Sequence, residues 1–284
     1  MPLKDENPTY RKGYVTWVLI ALNIFVFIFL QGSTDPANSE VDFTLANAAI
    51  PCEITEGRPL TQDEIDQTFY PPYSDDACNL NGDAPDTNQP YSGKLIWTSL
   101  LFSMFMHAGW MHLGGNMLYL WIFGNNIEDR LGYVKYLAFY LLGGLAASFA
   151  HIVVDPDSTI PVVGASGAIA AVMGAYVVWY PEAPIRSWII MVLKDISAKW
   201  ALGIWFVSQF FTGSDSSVAW LAHVGGFVFG AIVAFAIRQS KPLQKIAFTP
   251  PYRNIERWDN TGGIGPGPYR EQALPLIGPD RFKR

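Results

Sequence analysis

The sequence predicts an all-α polytopic membrane protein, six transmembrane helices with a short fourth. Half of its 284 residues are apolar and only 15% are charged, too few charges for an ordinary soluble domain of this size. The charges are also segregated. Short polar stretches alternate with long, nearly uncharged ones, and each bilayer crossing needs about 20 apolar residues. The lipid bilayer is thus the expected surrounding, and a net charge of −6 argues against nucleic acid as a partner.

The first span is Tyr14 to Leu30, after Arg11 and Lys12. It is long for a signal-peptide core and lacks a convincing cleavage site, so it reads as a signal anchor, with cleavage as the alternative. Residues 31–93 form an acidic loop with twelve acidic residues and Arg58 as its one basic residue. Both cysteines, Cys52 and Cys78, lie there; a disulfide in an oxidising compartment is one reading and two free thiols the other. Leu95 to Gly124 is too long for one untilted span. It divides into a membrane-embedded or interfacial part up to about Trp110 and a second span from Met111 to about Ile127. Spans three to six follow at Tyr136 to Val154, Ala165 to Tyr180, about Ser197 to Phe211, and Ser217 to Ile237. Ile185 to Leu193 is apolar but too short to cross and reads as an interfacial piece, with a lengthened fifth span as the alternative. The chain thus divides into residues 1–13, a six-span domain at 14–237, and a Pro- and Gly-rich tail at 238–284 expected to be largely disordered.

With both termini inside, 17 of the 19 basic residues are cytoplasmic and only Arg58 and Lys94 lie outside. The positive-inside rule selects that orientation, and with it a cell (plasma or inner) membrane location with the acidic loop outside. Spans two, four and six then run from outside to inside. The fourth, counted from Ser166, is about 22 Å long at the helical rise. Residues 155–165 must dip to membrane depth, which non-helical backbone does only when buried in protein or lining a wet cavity.

Gly164 and the Ala-rich run from Gly167 onward put Ser166 at or near a helix N-terminus. An N-cap is the plain reading of such a serine. The other reading is a nucleophile, because polar groups gather at its depth: His107, His112, Asn116 and His223. Intramembrane polar groups are functional candidates, with interhelical hydrogen-bonding as the structural alternative. Ser166, Ala170 and Gly174 recur every four residues on span four, as do Ala222, Gly226 and Gly230 on span six. Two small-residue stripes packed face to face would carry His223 to Ser166. His112 and Asn116 share one face of span two and could donate to an oxyanion beside the Ser166 amide. The histidines lack a carboxylate or thiolate at ligand spacing, so neither a metal nor another cofactor is expected.

HAGWMHLGGN (His107 to Asn116), GASG (Gly164 to Gly167), AHVGGFVFG (Ala222 to Gly230) and NNIEDRLG (Asn125 to Gly132) together resemble the rhomboid intramembrane serine proteases of the six-span bacterial type. The resemblance spans roughly Trp97 to Ile237. It implies Ser166 as nucleophile, His223 as general base, and His112, Asn116 and the Ser166 amide as oxyanion donors. His107, Gly164 and Gly167 would support the site, and Glu128 and Arg130 would form a structural charged pair. Some members stack a tyrosine, four residues after the nucleophile, on the catalytic histidine; Ala170 stands there, so another residue must orient His223. The implied substrates are single-span membrane proteins, cut near the outer face. A non-catalytic rhomboid-like client binder and a transporter are the alternatives.

Overall fold

Six helices fall on the six apolar stretches of the sequence. The structure is a computed structural model describing residues 2–5, 7, 9–31, 39–70, 74, 77–79, 88–189, 192–211 and 219–248. Helix α1 (Tyr14–Phe25) continues through a π-helical turn to Gln31. The other five are α6 (Trp110–Leu131), α7 (Tyr133–Val154), α8 (Ser166–Trp179), α9 (Ala198–Gln209) and α10 (Trp220–Gln239). Three are long and apolar enough to cross a membrane: Tyr14–Gln31, Tyr133–Val154 and Trp220–Gln239. Helix α8 has 14 residues, about 21 Å, and is buried along almost its whole length.

Glycine sets the packing around α8, whose most extensive contact is with α10. A methyl group on Gly226 would overlap the Gly167 carbonyl, one on Gly230 the Ala171 carbonyl, and one on Gly174 the Phe227 carbonyl. A methyl on Gly167 would stand 2.5 Å from Ala147 Cβ on α7. These backbones are therefore as close as they can be, the arrangement that small residues permit between apolar helices.

The acidic loop holds structure that its polar composition hides. It contains α2 (Ser39–Asn47), α3 (Pro51–Glu56) and α4 (Gln62–Phe69) around a small core of Leu45, Ile50, Cys52, Leu60 and Ile65, with Cys52 joined to Cys78. Arg58, its one basic residue, and Lys94, just after it, both pair with its carboxylates. Lys94 pairs with Glu53 at 2.5 Å, both side chains 1% exposed. Arg58 donates from both terminal nitrogens to Glu64, which also accepts from the Thr61 and Asn79 amides. Burial opposes ionisation of Glu64, but Arg58 and the two amides outweigh it and hold the carboxyl down at about 2 from its usual 4.5.

This domain holds the backbone ahead of α8. Val162 donates to the Ala49 carbonyl, Cys52 to Ser158, and Thr55 Oγ1 to Pro156, while the Thr68 and Thr159 hydroxyls bond to each other. The segment between α7 and α8 thereby finds polar partners within the protein, as backbone at membrane depth would require.

One expectation changes and two stretches gain detail. The fold is not all-α: within Ile185 to Leu193, residues 185–189 belong to β2 (Pro184–Ile189) and residues 192–193 to β3 (Val192–Ser197), which pair antiparallel. Strand β1 (Pro2–Asp5) pairs with β2 to complete a three-stranded sheet. The block Leu95 to Trp110 contains α5 (Ile96–Phe102) and a 3-10 turn (Ser103–Phe105). The stretch expected to be a disordered tail opens with order: Arg238 and Gln239 complete α10, α11 spans Lys241–Ala247, and Phe248 is buried. Residues 249–284 lie outside the described residues.

Glu128 caps the N-terminus of α1, accepting from the Val15 and Thr16 amides, each at 2.8 Å, and from the Thr16 hydroxyl. Arg130 is enclosed by the rings of Trp179, Tyr180 and Phe248. Each charge of this motif therefore braces a different part of the fold.

Two outcomes follow. Gly230→Ala should lower unfolding stability in detergent by about 1–3 kcal/mol through overpacking, whereas Gly203→Ala, with open space at its Cβ, should leave it unchanged or raise it slightly. Because the Glu64 carboxyl is depressed in the fold, its contribution is present above the unfolded value near 4.5 and is lost as pH falls through about 2. Hydrogen exchange in the 39–79 domain should accelerate in that window, and Arg58→Met should move the onset to higher pH.

Candidate active site

Ser166 is the first residue of α8, not its cap; Ala165 holds the N-cap position. The amides of the first helical turn have no intrahelical acceptor and are free to face an anion. Two residues earlier, Gly164 adopts φ +127° and donates its N–H to the Ser103 carbonyl at 2.9 Å. That backbone conformation favours glycine, and so does the space around it. A methyl on Gly164 would lie 2.8 Å from His112 Cε1, 2.9 Å from His112 Nε2 and 3.6 Å from Asn116 Nδ2. His112 and Asn116, one turn apart on α6, thus converge on the approach to Ser166.

The donor character of both follows from their partners. His112 Nδ1 accepts from the Ala108 amide at 3.3 Å, and a backbone N–H can only donate. The proton of the neutral ring therefore sits on Nε2, the nitrogen that faces Gly164. Asn116 is 9% exposed, and its Nδ2 is buried without a hydrogen-bond partner among the described residues. A buried unpaired donor is costly and uncommon, and this one points where an incoming oxygen would be stabilised.

His107 supports the arrangement from behind. Its ring is fully buried and lies edge-on to His112, with centroids 5.1 Å apart. Its backbone is clamped by Gln31 at the end of the π-helical turn: Gln31 Nε2 donates to the His107 carbonyl at 3.0 Å, and Gln31 Oε1 accepts from the His107 amide at 2.9 Å.

His223 lies in the first turn of α10, next to Ala222 in the glycine-packed seam. Its Nδ1 is 2.7 Å from Gln209 Oε1, and the Trp205 ring lies against the imidazole with centroids 5.9 Å apart. Both partners come from α9. Among the described residues no hydrogen bond joins Ser166 to His223.

Residues 94–240 match the Rhomboid domain family, just over half of the chain. The chain belongs to the rhomboid family. It is 32% identical over 154 residues to the mouse presenilin-associated rhomboid-like protein of mitochondria, covering 51% of this chain and 39% of the relative. It is 30% identical over 138 residues to RHOMBOID-like protein 5 of Arabidopsis thaliana, 49% of this chain and 43% of the relative. Rhomboid protease GluP of Bacillus subtilis is 32% identical over 141 residues, half of this chain and 26% of the relative. The chain thus spans less than half the length of these relatives. As a rhomboid protein with several apolar helices, it is a multi-pass membrane protein.

Three residues of this rhomboid site escape motif reading: Gln31, Trp205 and Gln209. A lone amide at the end of an apolar run is the signal that flags the two glutamines, since such groups are expensive at membrane depth. Gln31→Leu should strip the His107 amide and carbonyl of their partner and lower stability in detergent by about 1–3 kcal/mol. Unchanged unfolding would show that the clamp contributes nothing.

Proposed function

We propose that the chain is an intramembrane serine endopeptidase in which Ser166 and His223 form the dyad. The convergence of two donors on Gly164, His112 Nε2–H and the unpartnered Asn116 amide, is the observation that supports it most. Ser166 Oγ attacks the scissile carbonyl and passes its proton to His223 Nε2. The resulting oxyanion accepts from His112, Asn116 and the Ser166 amide. Collapse expels the amine, which takes the proton from His223, and water then hydrolyses the acyl-enzyme. The substrates are single-span membrane proteins. All six helices are embedded, both termini are cytoplasmic in a cell membrane, and the acidic loop faces out with the site near that face.

A client-binding rhomboid without catalysis is the second reading, favoured by the missing Ser166–His223 hydrogen bond. Catalytic hydrogen bonds are often long before substrate binds and tighten only in the complex. A fluorophosphonate probe separates the two readings. The native protein in detergent should label on Ser166, Ser166→Ala and His223→Ala should not, and Asn116→Ala should label roughly 10²-fold more slowly. A folded native protein that fails to label supports the client-binding reading.

A further inference from the structure

A histidine that accepts a proton through Nε2 must carry its own proton on Nδ1. An isolated imidazole favours the opposite tautomer, so a base histidine is generally held by an acceptor at Nδ1, a carboxylate in the familiar triad. Ala170, four residues after Ser166 on α8, offers no polar group. On α9, Gln209 occupies the acceptor position.

The orientation of that amide is determined by its surroundings. Gln209 Nε2 lies 3.0 Å from the Trp205 carbonyl and 3.2 Å from Ser208 Oγ. The Trp205 carbonyl can only accept, so the atom facing it must be the amide nitrogen. Oε1 is then the atom 2.7 Å from His223 Nδ1. An amide oxygen only accepts, which leaves Nδ1 as donor and Nε2 as the unprotonated nitrogen. Gln209 is 7% exposed, so water competes little for this bond. Trp205, anchored between Tyr119 and Phe227, covers a face of the ring and limits its rotation.

We propose that Gln209 is the positioning residue that fixes His223 as its Nδ1–H tautomer, standing where a triad would place a carboxylate, with Trp205 limiting ring rotation. The role in catalysis rests on the protease reading; the tautomer does not. His112 and His223 then carry opposite tautomers, each set by what its Nδ1 meets: an amide donor makes His112 a donor through Nε2, and an amide acceptor makes His223 an acceptor through Nε2.

The test uses the full chain in detergent micelles with ¹⁵N-labelled histidine, the His223 signals being assigned by their loss in His223→Asn. Native His223 should show the Nδ1–H pattern, and Gln209→Leu should convert it largely to Nε2–H. In fluorophosphonate labelling, Gln209→Leu should lower the maximal rate at least tenfold at an unchanged half-saturating probe concentration. Gln209→Glu, which keeps an acceptor, should retain the Nδ1–H pattern and most of the rate. A native Nε2–H pattern overturns the proposal, as does a folded Gln209→Leu protein with native spectrum and rate. If Gln209→Leu fails to fold, the native and Gln209→Glu spectra decide. A native protein that shows Nδ1–H but does not label supports the tautomer assignment and counts against the protease reading.

Discussion

The closeness of α8 to α10 is the constraint on which the rest of the structure depends. Lipid tails are as apolar as leucine, so these helices gain little from hiding apolar surface from one another and must rely on packing. Gly174, Gly226 and Gly230 each occupy a position where a methyl group would overlap a backbone carbonyl of the opposite helix. That contact fixes the register and rotation of α8 against α10, and brings the first turn of α10, with His223, to the N-terminal end of α8, where Ser166 is half-buried. Substitution in this seam therefore strikes stability and site geometry together.

The second requirement is polar satisfaction. Helix α8 is too short to cross the hydrocarbon layer, so ordinary loop backbone precedes it, and the groups of that backbone must be paired. The acidic loop supplies partners through Ala49, Cys52, Thr55 and Thr68. The loop domain is in turn held by the Lys94–Glu53 and Arg58–Glu64 pairs. The two basic residues that charge counting leaves outside are those that hold the loop domain together.

The helical stretches were legible because hydropathy and span length act locally, and the glycine stripes because their four-residue spacing is a property of one helix. The β-hairpin was not legible. Its partner strand, Pro2–Asp5, lies some 180 residues earlier, and an apolar run of nine residues serves a strand as well as an interface. The helices of the acidic loop were hidden by composition, since their core uses only four buried aliphatic residues and a cysteine pair. Ser166, Gly164, His112, Asn116 and His223 stand out as motif residues. Gln209 and Gln31 do not, because each acts across a helix boundary on a partner that one-dimensional spacing cannot reveal. The part of the site that sets protonation was thus harder to see than the part that would react.

In this account the glycine seam, the paired loop and the two oppositely protonated histidines serve one end, peptide hydrolysis at membrane depth. The most direct measurement is cleavage by the full chain reconstituted in lipid vesicles with a panel of single-span substrates, each product mapped by mass spectrometry. The account requires at least one cut within or beside a membrane segment, near one bilayer face, that disappears in Ser166→Ala. Folded, correctly inserted protein that cuts none of them, or cuts equally well without the Ser166 hydroxyl, would contradict it.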